Sequence, residues 1–318
     1  MLSKQPFLEC RALILEPWSV FVNDILHALL FLMLAGSVFV ALILLERRHL
    51  ARHQRADAYD TRETLANIGT GLMYKSVDGV FIALIVTRVY DWVQARGLQW
   101  QAPSGWMGFV LLFVLTDFVF YWTHRFMHRV RYGWTAHAVH HSSQRYNLST
   151  ALRQTPMFDL SGLILLGVVP MALLGFDKNA AVLSLEINLF YQFFIHTEVV
   201  RRMPAWFEFV FNTPSHHRVH HGRNPRQIDT NFGGTLIIWD RLFGSFVAER
   251  DAGKIRYGVT MRQPRSLNPL HLVFGECVSM WRDLWHHKDL RILWKHPDWV
   301  GERYPDRAMP EPLPDRAP

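Results

Sequence analysis

The chain has 318 residues, of which 50% are apolar and 19% charged, with a formal net charge of +7. The apolar residues come in long uninterrupted runs, which excludes an ordinary soluble domain and points to a membrane protein. Cys10 and Cys277 are too few and too far apart for a disulfide framework or a thiolate metal site, and the basic residues flank apolar runs, so nucleic acid is not an expected partner.

In chain order, the first run, Ile25–Leu45, holds only His27 as a chargeable side chain and is long enough to cross the ~30 Å hydrocarbon core. Glu46-Arg47-Arg48 stops it, and without a small-residue cleavage site it reads as a transmembrane helix; no targeting peptide is expected. Further spans are expected over Gly69–Thr87, Trp106–Trp122, Met157–Leu174 and Ala180–Ile195, separated by breakers such as Ala102-Pro103-Ser104-Gly105. The last two runs also fit a hairpin that does not fully cross, so the expectation is about four or five spans. Lys75, Asp78 and Glu186 should face the bundle interior, because charge is costly in lipid. Arg47, Arg48, Arg52 and Arg55 crowd the end of the first run, which puts residues 46–65 in the cytoplasm; counting on from there brings every histidine cluster to the cytoplasmic face. After residue 222 the chain reads as a cytoplasmic cap touching the membrane surface, with helix-like pieces such as Phe274–Leu290. His296–Pro318, with six prolines, reads as an extended tail. The expected fold is an all-α integral membrane protein in three parts: transmembrane helices over 1–123, a histidine-box region with a transmembrane hairpin over 124–250, and a cap and tail over 251–318.

Ten of the seventeen histidines fall between His124 and His221. His124 and His128 are four apart and share a helix face; His137, His140 and His141 form a His-x-x-His-His pattern that recurs as His217, His220 and His221, preceded by His216. Gln192 and His196 are again spaced by four. Neutral imidazoles at such spacings hold iron, copper, nickel or zinc between helical turns. Ten exceed the needs of one ion, which implies two metals, or one metal with many supporting histidines. A histidine-rich solvated face would not need matched spacing at several helix ends. The remaining histidines, among them His27, His49, His53, His271, His286, His287 and His296, read as ordinary helix-end residues. No His-Glu-x-x-His, Gly-x-Ser-x-Gly or P-loop is present. Of the nearby acids, Asp117, Glu198 and Asp229 are expected to hydrogen-bond a histidine or pair with an arginine, not to bind metal directly. Tyr146 and Asn147 read as hydrogen-bond donors around the ligands or as plain loop residues. Arg153, Gln154, Arg218 and Arg223 are candidates to hold a lipid's polar head, and the arginines equally to pair with lipid phosphates or acids.

These residues resemble the fatty acid hydroxylase and sterol desaturase superfamily, membrane non-haem diiron enzymes with a His-x3-4-His, His-x-x-His-His, His-x-x-His-His series on cytoplasmic helix ends. The stretches Asp117–His124, His140–Ser143, Tyr146–Gln154, Tyr191–Glu198, Asn212–Asn224 and Gly234–Gly244 are similar to a branch of that superfamily that cleaves glyceryl ethers, over about residues 60–250. The resemblance implies a pair of iron ions, O2, an external electron donor delivered by a reductase or carrier, and a lipid substrate entering from the bilayer. It implies ligands His124, His128, His137, His140, His141, His196, His217, His220 and His221, with His216 and Gln192 as marginal candidates. The implied reaction is hydroxylation of the carbon beside an ether oxygen, giving a hemiacetal that collapses to a fatty aldehyde. The alternatives are hydroxylation or desaturation of a sterol, carotenoid or acyl chain, and, more remotely, a non-catalytic metal-binding or transport protein. The implied location is an integral membrane protein with its site facing the cytoplasm, in the inner membrane of a bacterium or the endoplasmic reticulum of a eukaryote. One departure is Arg129, where animal members carry a glutamate; this charge reversal argues against tetrahydrobiopterin as reductant.

Overall fold

The computed structural model describes residues 33–304, apart from 35, 99, 101, 102, 261, 262 and 265. Residues 36–52 form helix α1; the earlier part of the expected first span, and the tail from residue 305, lie outside the described residues. Helix α2 (Thr61–Phe81) runs through a π-helical turn, Ile82–Val86, into α3 (Thr87–Gln94). Asp60 starts it by accepting from the backbone N–H of Arg62 and Glu63, a cap worth about 1 kcal/mol. Helix α4 (Gly105–Arg129) follows, then the short α5 (Arg131–Trp134) and α6 (Ala138–His141). A 3-10 turn, Leu148–Leu152, leads into α7 (Met157–Leu160) and α8 (Ile164–Leu173), then α9 (Lys178–Ile195), capped by Asp177. Beyond these come α10 (Ala205–Val210), α11 (Pro214–His220), α12 (Ile238–Leu242), α13 (Pro269–His287) and α14 (Pro297–Arg303). Among the described residues the strand-like pairing is confined to two isolated bridges, Phe211 with Leu236 and Gly222 with Tyr257.

Helix α4 is the axis of the molecule, packed by α8 and α9 along its length. Leu112 from α4, Val86 from the π-helical turn, Tyr90 from α3, and Ile164, Val168 and Met171 from α8 form the main apolar core. Side chains such as Trp106, Val110 and Trp122 of α4 and Leu183, Phe190 and Phe194 of α9 remain outward and exposed. So much unpartnered apolar surface is what lipid would cover. Among the described residues, α4 is long and apolar enough by itself to cross a membrane; Leu148–Leu160 with Ile164–Leu173 qualifies as a pair bent by 71°. Gly162 sits at that bend with φ +78°, a backbone region that favours glycine. The expected runs Gly69–Thr87 and Ala180–Ile195 are helical, but Lys75 and Asp78 in α2 and Lys178 and Glu186 in α9 dilute their apolar character.

Of the charged residues expected to face inward, Asp78 is buried and pairs with the half-exposed Lys75. Glu186 is exposed: α9 turns Ala181, Ser184 and Asn188 inward, and Glu186 falls off that face. The C-terminal region differs from the expected extended tail as well, because Pro297–Arg303 forms a helix whose Val300 packs against Met280 and Ile292. Helix α13 is fastened to the rest by Arg131, fully buried, which donates to Glu276 at 3.0 Å and Asp283 at 2.7 Å.

Candidate metal centre

The last two turns of α4 carry His124 and His128 on one face. The tight turn through α5 returns the chain so that His137 precedes α6, whose end is His140 and His141. His196 terminates α9, and α11, started by Pro214, presents His217, His220 and His221. These nine side chains are buried and converge in two groups. His124, His128, His137, His141 and His220 form one; His140, His196, His217 and His221 form the other; within each group the nearest ring nitrogens lie within 4.8 Å of one another. The two His-x-x-His-His segments divide in mirrored fashion. His137 and His141 go to the first group and His140 to the second, whereas His217 and His221 go to the second and His220 to the first. Adjacent histidines diverge, the His140 and His141 rings standing at 86° and the His220 and His221 rings at 90°. The groups abut where His141 stacks on His221 at 4.3 Å.

Backbone carbonyls set the tautomers. The Nδ1–H of His124 donates to Phe232 O at 2.7 Å, that of His196 to Gln192 O at 2.6 Å, that of His220 to Thr230 O at 2.8 Å and that of His140 to Arg153 O at 3.2 Å. Each Nε2 is thereby left with a lone pair aimed inward. With that tautomer His140 Nε2 and His196 Nε2 face each other at 3.2 Å, lone pair against lone pair, an arrangement that a shared cation would relieve. In the first group, the Nε2 atoms of His128 and His220 are buried without a hydrogen-bond partner. Burial holds His137, His140, His141, His217, His220 and His221 well below the usual imidazole range, so these rings are neutral donors at physiological pH. The residues fit a pair of borderline transition-metal ions held by imidazole alone, with no carboxylate in either group among the described residues.

The other residues singled out in the sequence take varied places. His216 lies in neither group and packs edge-on against Phe246. Gln192 contributes its carbonyl to His196, while its side chain donates to Asn188. Asp117 is buried and accepts from the backbone N–H of Thr235 and Leu236 and from the Trp239 indole. It therefore pins the loop that follows the His124 acceptor and touches no histidine of either group. Gly234 in that loop leaves no room for a side chain: a Cβ there would come within 2.7 Å of Asn188 Oδ1. Tyr146 stacks on His196 and donates to Ile195 O; Asn147 caps the 3-10 turn. Arg153 is fully buried on Val139 O, Ser142 and Asn67, and Arg218 clasps Glu249 and three carbonyls, so both hold protein rather than reach a lipid head. Gln154 lies 3.4 Å from His140 Nδ1, and Glu198 pairs with Arg55 and Tyr257.

Four contributors carry no signal in the sequence. Backbone carbonyls of Phe232 and Thr230 leave no trace in residue type. Asp240 accepts from Phe232 N, Gly233 N and Ser245 Oγ, each at 2.7 Å, and so fixes the Phe232 carbonyl. His296, 3.1 Å from Asp229, helps line a cavity of about 60 Å³ against His128, His141 and His220; only the tertiary fold brings it there. Asp229, with φ +60°, also pairs with Arg129 at 2.8 Å and lies 4.0 Å from His128 Nδ1.

A family model described as fatty acid hydroxylase matches residues 109–245. Alkylglycerol monooxygenase of Xenopus tropicalis is 38% identical over 257 residues, 79% of this chain and 55% of that protein. The Homo sapiens protein of the same name is 36% identical over 80% of this chain and 56% of its own length, so the chain spans about half the length of these relatives. Ornithine lipid hydroxylase OlsE of Rhizobium tropici is 30% identical over 70% of this chain and 68% of that protein. No solved structure matches the chain.

Proposed function

Because the chain belongs to the fatty acid hydroxylase family, we propose that it is a membrane-bound, O2-dependent lipid monooxygenase with a pair of iron ions in the two histidine groups. The observation that carries this reading is the pair of adjoining all-imidazole groups whose inward lone pairs are fixed by backbone carbonyls. His124, His128, His137, His141 and His220 would hold one ion and His140, His196, His217 and His221 the other; when bound, the ions supply the activation of dioxygen for oxidation of a C–H bond.

The chain's own residues act by position. Carbonyls of Phe232, Thr230, Gln192 and Arg153 hold the rings in one orientation, so little reorganisation accompanies the chemistry. Tyr146, stacked on His196 and on Tyr257, closes the second group on one side and excludes water. Helix α4 supports a bilayer entrance for the substrate: its 25 residues span about 37 Å, and His124 and His128 lie on its last turns, where the ~30 Å hydrocarbon core ends. The site is proposed to face the cytoplasm, supported by Arg47, Arg48, Arg52 and Arg55 at the end of α1, with four or five crossings in all, about the number the apolar runs allow. The electron donor is taken to be an external reductase or carrier.

The substrate is proposed to be a glyceryl ether lipid, oxidised at the carbon beside the ether oxygen and released as a fatty aldehyde, on the strength of the alkylglycerol monooxygenase matches. A second reading, hydroxylation of another membrane lipid with the hydroxyl retained, is favoured by the match to the ornithine lipid hydroxylase, of which the chain covers the larger share. The test is metal analysis and lipid profiling of membranes carrying the wild-type chain or His140→Ala. Iron content should fall in the variant, and a lipid product present with the wild type should vanish; free aldehyde supports the first substrate class and a hydroxylated lipid the second. Equal metal content and identical lipids in both membranes would refute the reading.

A further inference from the structure

Helix α13 has two lives on its two sides. On its buried side Leu272 packs onto α2 and α6, Met280 onto Ile292 and Val300, and Asp283 meets Arg131. On the far side Leu270, Phe274, Val278, Trp281 and Trp285 follow one another at spacings of four, four, three and four, an arc of about 80° at 100° per residue. Trp281 is 52% exposed and Trp285 78% exposed. Just beyond, Leu290 and Trp294 are exposed as well. Two exposed tryptophans in one apolar stripe are not a surface left to water.

We propose that this face of α13 lies in the interface of a bilayer containing anionic lipids, with Trp281 and Trp285 among the headgroups, so that the helix clamped by Arg131 to the turn between His128 and His137 also sets the height of the histidine groups above the membrane. The proposal rests on the membrane location argued above but not on metal or activity. Continuity supports it: Pro269 packs against Gly69 and Leu272 against Ala66 of α2, whose outward neighbours Leu65 and Leu72 are exposed apolar residues, so the apolar surface passes from α2 onto α13. Charge supports it as well. Glu276 and Asp283 are turned inward to Arg131, and Asp289 is engaged by Arg291, whereas Arg282, Lys288 and Lys295 are exposed. Lys288 lies with its Nζ 3.7 Å from the Trp285 ring, an ammonium and an indole set side by side as headgroup-level anchors are. A second copy would have to bring these outward cations toward its own, which disfavours it as the occupant.

The test compares the whole protein with Trp281→Gln/Trp285→Gln, both reconstituted in phosphatidylcholine vesicles containing phosphatidylglycerol, with circular dichroism and metal content as folding controls. The difference in tryptophan emission isolates the two indoles. We expect that emission to be quenched by lipids brominated near the headgroup and to be largely protected from aqueous acrylamide. Quenching by acrylamide alone would mean a solvated face and overturn the proposal. Insensitivity to both quenchers, with cross-linking between chains through Trp285→Cys, would mean a protein partner and overturn it equally. Metal binding should be the same in both proteins, so failure here is separable from failure of the diiron reading.

Discussion

Asp240→Asn tests how a residue outside both histidine groups would govern a metal held in one of them. The Asp240 carboxylate accepts from Phe232 N and Ser245 Oγ on one oxygen and from Gly233 N on the other, all at 2.7 Å. An asparagine keeps the first oxygen as a carbonyl but faces the Gly233 N–H with its own NH2. Stranding that buried N–H after the loss of a charged acceptor costs about 1–3 kcal/mol. Phe232 O, which receives the His124 Nδ1–H, moves with this turn. Displacing such an outer partner weakens metal binding by about 10–100-fold. The second group draws its anchors from Gln192 and Arg153, away from this turn, and should be spared. Burial pushes Asp240 up to about 6, so the comparison belongs near pH 8, where the wild-type side chain is ionised. Chelator competition on the folded variant, followed by metal analysis, should show one ion lost far more readily than the other. Retention of both ions at wild-type affinity, or equal loss of both, would refute the reasoning.

Arg131→Ala leaves Glu276 and Asp283 buried opposite an apolar stub; breaking such a pair costs about 3–5 kcal/mol, so thermal unfolding in detergent should shift down by several degrees and α13 should exchange its amides first. Its carboxylate partner raises the His296 imidazole above the ordinary value, so the folded state holds that proton more tightly than the unfolded chain does. The stabilisation is then complete below about pH 6.5 and lost as pH rises through the folded pKa. Hydrogen-exchange protection of residues 290–304, corrected for intrinsic rates, should therefore decline on the alkaline side in the wild type and be flat in Asp229→Asn; a flat wild-type profile would contradict the assignment.

How much of this was legible depends on whether the signal was local. Long apolar runs located the helices, and i, i+4 spacing located His124 with His128. The number of crossings was not legible, because hydropathy alone cannot say that 148–173 bends by 71° or that Glu186 turns outward. Residue type left Arg153 and Arg218 open equally as lipid-head ligands and as partners of phosphates or acids, and Arg218 does pair with Glu249. In the fold Arg153 is consumed by Val139 O, Ser142 and Asn67 and Arg218 by Glu249 and three carbonyls, a fact set by where the loops run. The C-terminal helix was hidden by the proline count of a longer segment, although Pro297 is well suited to a first helical turn.

The mirrored division of the two His-x-x-His-His segments marks the limit of a sequence reading most clearly. Spacing alone sets His137 beside both His140 and His141, since three and four residues are −60° and +40° around a helix. Neighbours 100° apart can hardly serve one ion, so each segment must supply two ions or waste a histidine. Which neighbour goes where is decided by how α6 and α11 approach each other, a property of the whole fold. In one segment the pair spaced by four serves the first group and in the other it serves the second. Each short helix is thereby tied to both groups, so the way α6 and α11 pack on each other fixes the geometry of the two groups together.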